Sequence, residues 1–127
     1  MPGRGRRRRG AGWHSPRYLC PILLLLLHRG DAHGYTLLEQ VKEFGHEDVN
    51  PTAVYRRLRE MEQDGWVASA WDVESTQGPP RRVYRITAAG DAALAQWTVD
   101  LQATGQHIDR FLQAYDTHME EGEGAHH

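Results

Sequence analysis

The chain has one cysteine, Cys20, among its 127 residues. A lone cysteine excludes an internal disulfide framework and a cysteine-only zinc site. Flanked by Leu19 and Pro21 in an apolar run, Cys20 is expected to be a small buried hydrophobe. Acidic residues are missing from residues 1–30, which hold seven arginines, and residues 86–127 carry seven acids against Arg110 alone. The formal net charge of −2 therefore conceals a cationic front and an anionic back. No long hydrophobic run is present. Leu19–Leu27 is broken by Pro21 and far short of the roughly 20 residues that span a bilayer. It runs straight into His28–Arg29–Gly30–Asp31 without a small-residue cleavage site, unlike a secretory signal. A cytoplasmic protein without membrane contact is expected. Catalytic signatures are missing too. The eight histidines, at 14, 28, 33, 46, 107, 118, 126 and 127, form no H-x-x-x-H pair, and there is no phosphate-cradling loop or nucleophile elbow. The expectation is no enzyme, no cofactor and no metal site.

What is present centres on Asn50–Trp66, NPTAVYRRLREMEQDGW. Asn50 can cap a helix, Pro51 suits its first position, and Gly65 can end it in the left-handed conformation. Val54, Leu58 and Met61 fall on one helical face, with Arg56, Arg57 and Arg59 directed away from it. A helix that buries one face and offers arginines on another fits the major groove, whose phosphates lie to either side. Taken alone, the segment suits an ordinary charged surface helix equally well.

Its surroundings favour the first use. Residues 1–15, Gly- and Arg-rich, are expected to form a disordered basic arm, which either lies along phosphates or in a minor groove or is a plain solvated tail. Pro16–Arg29, capped by Ser15, should be the most buried helix. His33–Phe44 follows as a second, with Tyr35, Leu37, Leu38, Val41 and Phe44 in its apolar stripe. A polar turn, Gly45–Val49, leads into the third, in a helix-turn-helix arrangement. The period then drops to two. Trp66–Val73 and Arg81–Thr87 suggest strands, with Val67, Trp71, Tyr84 and Ile86 on the core face and Glu74–Pro80 as the connecting loop. Arginines Arg81, Arg82 and Arg85 on the returning strand make this hairpin resemble a wing beside a duplex. They could equally guard a sheet edge against aggregation.

Thr87 can cap a last helix running toward Met119. Leu94, Leu101, Ile108 and Tyr115 recur every seven residues, and Trp97, Thr104, Phe111 and His118 form a second row. With Leu112 beside it, the seam calls for a partner, either another copy of the chain or the domain's own core. Glu120–His127 should be a disordered acidic tail.

The helix RYLCPILLLLLHRGDAHGYTLLEQV, the segment NPTAVYRRLREMEQDGWV, the hairpin SAWDVESTQGPPRRVYRITAAG and the LAQW of the last helix together resemble the PadR family of bacterial transcriptional regulators, over about residues 17–112. The resemblance implies a mainly α fold with a small β-hairpin: a winged helix-turn-helix DNA-binding domain (residues 16–87) and a single C-terminal dimerisation helix (88–119). It also implies a homodimeric repressor on a pseudo-palindromic double-stranded DNA operator, released by a small-molecule effector or a stress signal. Carried over by position, Thr52, Tyr55 and Arg56 would face DNA, with Asn50, Arg57 and Arg59 on the same segment. Arg81 and Arg82 would reach the backbone or minor groove. Trp97, Leu101 and Ile108 would lie at the dimer interface. Trp66, Trp71 and Trp97 are candidates for an effector pocket, with core packing as their simpler use. A winged-helix protein–protein interaction module without DNA binding is the alternative function.

Overall fold

The molecule is built outward from its most apolar helix. The computed structural model describes residues 12–73, 78 and 80–126, with side chains as far as Gly122. Residues 1–11 of the expected arm and most of the Glu74–Pro80 loop lie outside the described residues. The chain divides into two units, residues 1–94 and 95–127.

In the first unit, Ser15 accepts from the Arg17 amide and starts a 3-10 turn, Pro16–Tyr18, ahead of α1, Leu19–Arg29. The expected helix from Pro16 is α-helical only from Leu19. Pro21 has no N–H to give to the Arg17 carbonyl, so the α ladder cannot extend back through it. Cys20 and the leucines of α1 are buried, apart from Leu25 at 38% exposure. Ala32–His33 then forms a two-residue strand, β1, which carries no alternation signal in the sequence. Helix α2, Gly34–Glu43, buries Leu37, Leu38 and Val41. Tyr35, expected in that stripe, is instead 63% exposed.

Helix α3, Pro51–Gln63, begins where Asn50 Oδ1 accepts from the Thr52 amide at 2.8 Å. It ends at Gly65, whose φ of 81° lets the Trp66 amide reach back to the Met61 carbonyl at 2.9 Å. Val54, Leu58 and Met61 are fully buried. Strands β2, Val67–Asp72, and β3, Arg81–Ile86, pair antiparallel in the register Val67↔Ile86 through Asp72↔Arg81. With β1 on the other side of β3, the sheet order is β1-β3-β2. Val67 and Tyr84 are buried as expected, whereas Trp71 at 56% exposure is not a core residue. Near the end of β2, its ring lies beside Arg82 of β3 and not in the core.

Helix α4, Ala88–His126, is capped by Thr87, whose hydroxyl donates to the Gly65 carbonyl at 2.6 Å and accepts from the Gly90 amide at 3.1 Å. The helix passes through Gly105 and runs on beyond Met119 into the expected acidic tail. No proline interrupts this stretch, and Glu120 and Glu121 are good helix formers. No helix among the described residues is long and apolar enough to cross a membrane. Leu58, midway along α3, is fully buried, so Leu58→Ala should lower unfolding stability by about 2–5 kcal/mol, read from the urea midpoint.

Candidate nucleic-acid interface

Helix α3 offers one broad polar face. At about 100° per residue, Thr52, Tyr55, Arg56 and Arg59 fall within a sector of roughly 100°, on the far side from Val54, Leu58 and Met61. All four are exposed. Asn50 is also exposed, but its side chain is engaged in the helix cap. Arg57 turns toward the buried side and pairs with Glu60, Nη1 to Oε1 at 3.2 Å. The three arginines grouped by the sequence pattern are therefore not equivalent.

The wing shows the same division. Strand alternation places Arg81, Val83 and Arg85 on one face of β3 and Arg82, Tyr84 and Ile86 on the other. Arg81 is exposed. Arg82 lies with its guanidinium carbon 4.6 Å from the centre of the Trp71 ring and donates from Nη1 to Ser69 Oγ at 2.8 Å. Ser69 in turn donates to Glu62 Oε2 at 2.8 Å, linking the wing to the last turn of α3. Tyr84, opposite Ser69, is buried. Its phenol is held above the usual range, first by burial and then by the negative charge of Glu62. On the other face, His33 Nε2 and Asp72 Oδ2 meet at 3.1 Å, tying β1 to β2 across β3.

Helix and wing enclose a cleft of about 310 Å³ lined by Tyr35, Tyr55, Trp71, Arg81 and Arg82, with Gly34 at its floor. A Cβ at Gly34 would come within 2.6 Å of Tyr55 Cε1, so the glycine makes room for the edge of the Tyr55 ring at the start of α2. The exposed Tyr35 and Trp71 are thus walls of a cleft at the polar face. Of the three tryptophans considered as one pocket, Trp66 and Trp71 are not neighbours. Trp66 and Trp71 bracket β2, about 17 Å apart at strand spacing, and Trp97 belongs to the second unit.

One feature escaped the sequence pattern. Trp13, in the last residues before α1, donates from Nε1 to the Phe44 carbonyl at 3.0 Å, and its ring packs tilted against Tyr18 and edge-on to His46. Residues 12–15 thus form a turn clasped to the loop ahead of α3. His46 is 3% exposed, and its Nε2 has no hydrogen-bond partner. Burial first, then the nearby His14, hold its pKa below the usual histidine value, against an opposing backbone hydrogen bond at Trp13. Among the described residues, no group of three or more histidine, cysteine or acidic side chains is disposed to hold a metal.

In the second unit, Trp97 and Leu101 are half-buried, while Ile108, Phe111, Leu112, Tyr115 and Met119 are exposed. Leu94, at the head of the seam, belongs to the first unit.

Residues 22–96, more than half of the chain, match the model of the transcriptional regulator PadR-like family. The chain belongs to the PadR-like family. A transcriptional regulator of Mycobacterium tuberculosis is 38% identical over 78 residues, covering 59% of this chain and 70% of that protein. A transcriptional regulator from Clostridium thermocellum shares 26% identity with a TM-score of 0.66, over 74% of this chain and 89% of that one. Bacillus subtilis PadR, solved in complex with operator DNA, has a TM-score of 0.57 at 22% identity, over 65% of this chain and 48% of that one. That likeness is one of fold. The winged helix-turn-helix expected of a PadR-like chain is the architecture found here.

Because the unfolded chain takes up a proton on His46 near pH 6.5 and the folded chain resists it, stability should be full above that pH and decline as pH falls below it. Urea midpoints measured from pH 8 to 5 for wild type and His46→Leu should diverge below about 6.5, the wild type losing more.

Proposed function

We propose that this PadR-like regulator binds double-stranded DNA as a homodimer, with α3 in the major groove and the β2–β3 wing along the backbone. The observation that carries it is the exposed face of Thr52, Tyr55, Arg56 and Arg59 beside the exposed Arg81. Cations on a helix narrow enough for the groove supply phosphate contacts, and Thr52 and Tyr55 supply groups for base edges. Bacillus subtilis PadR, of the same fold, binds operator DNA. The protein acts in the cytoplasm, where the DNA is, and needs no enzymatic step.

The second unit supports the dimer. From Gln102 to Glu121 every residue but Gly105 is exposed, and Ile108, Phe111, Leu112 and Tyr115 present a large apolar surface. Such a surface calls for burial, and the heptad seam through Trp97, Leu101 and Ile108 suits a second copy of the same helix. A dimer places two α3 helices on half-sites about one helical turn, roughly 34 Å, apart. The chain then represses by occupying a promoter. A small molecule lodged near the dimer helix, beside Trp97, releases it by favouring a spacing of the α3 pair that no longer matches the operator.

Affinity for a duplex from the promoter region of the protein's own gene, read by fluorescence anisotropy, should fall steeply with salt. Arg81→Ala should reduce the log–log slope by about 0.9, one phosphate contact. No sequence-selective binding at low salt would instead favour a winged-helix module that recognises protein. Phe111→Asp should shift the sedimenting species from dimer to monomer; a wild-type chain that already sediments as a 14.5 kDa monomer would refute the dimer.

A further inference from the structure

The wing arginines look interchangeable in the sequence, yet Arg82 is held from two directions. Its guanidinium carbon lies over the ring of Trp71, its partner in the β2–β3 register. Its Nη1 donates to Ser69, and Ser69 donates to Glu62 on α3. The polarity of this relay has one solution. Arginine cannot accept a hydrogen bond and an ionised carboxylate cannot donate one. The Ser69 hydroxyl must therefore give its proton to Glu62 and a lone pair to Arg82, with a cation at one end and an anion at the other. Tyr84, across the register from Ser69, is buried.

We propose that Glu62 and Ser69 are positioning residues of the DNA-binding face: through the Ser69 hydroxyl they hold Arg82 over Trp71 and strap the wing to the end of α3. The proposal rests on the DNA reading above and adds a division of labour to it. Arg81, Arg56 and Arg59 neutralise phosphates. Arg82 sets the angle between wing and helix, so the two elements meet the duplex already in register and less ordering is left to the binding step. Removing the hydroxyl frees the wing without removing a phosphate contact. Affinity then falls while the salt slope stays the same.

The test uses the full chain. Arg82 side-chain N–H resonances are recorded for wild type, Ser69→Ala and Ser69→Thr, and duplex affinity is titrated against NaCl for the same proteins, with Arg81→Ala as the phosphate-contact control. Protons above an indole ring are shifted upfield. That shift is expected in wild type and Ser69→Thr and should be lost in Ser69→Ala. Affinity should drop about fivefold in Ser69→Ala, the size of one partly exposed charge-assisted hydrogen bond, with an unchanged salt slope. It should return in Ser69→Thr. An upfield shift that survives in Ser69→Ala, an affinity that does not change, or a slope that falls as in Arg81→Ala would overturn the proposal. Failure of the DNA reading looks different: no variant, nor the wild type, would have any affinity to lose, while the resonances would still report whether Ser69 holds Arg82.

Discussion

The structure depends on where one helix hides its apolar stripe. Val54, Leu58 and Met61 of α3 are completely enclosed in a core whose largest share comes from the leucines of α1. A helix buried along one side has its opposite side chosen for it. Rotating α3 to withdraw Thr52, Tyr55, Arg56 and Arg59 from solvent would expose these three core residues and force arginines inward. Losing three buried side chains at about 1.5–3 kcal/mol each makes such a rotation prohibitive for a domain of this size. The outward face is therefore rigid because of what lies behind it, and the caps at Asn50 and Gly65 set where that face starts and stops.

Around this helix the arginines divide into two kinds. Arg57 and Arg82 are engaged within the molecule, by Glu60 and by the Ser69–Glu62 relay with Trp71. Arg56, Arg59 and Arg81 stand exposed. In the proposed interface the first group holds the shape of the surface and the second gives it its charge. The aromatic cleft between them follows the same logic. Gly34 lets the edge of the Tyr55 ring approach α2, while Tyr35, Trp71 and Arg82 build the walls that join helix to wing.

Much of this was legible because the relevant signals are local. A cap at Asn50, a proline at the first helical position, a glycine two residues past the helix end and a change of period from 3.6 to 2 each act within a few residues, so α3, β2 and β3 could be read directly. The missed features depend on contacts distant in sequence. Strand β1 is two residues long and exists only because β3 comes to lie beside it. Trp13 and His46 meet across a span of more than thirty residues. Tyr35 and Trp71 looked like core because aromatics in periodic segments usually are, and their exposure reflects a cleft that neither segment forms alone. That Arg81 and Arg82 face opposite sides of the strand follows from alternation. What Arg82 meets there depends on the register that aligns Trp71 with it and on Glu62, which approaches from another element.

The central claim, that two copies present paired α3 faces to one duplex, is tested most directly by a hydroxyl-radical footprint of the full chain on the promoter region of its own gene. Two protected patches should appear with their centres about 10 base pairs apart, one helical turn. A single patch at saturating protein, or uniform cleavage at low salt, would contradict it.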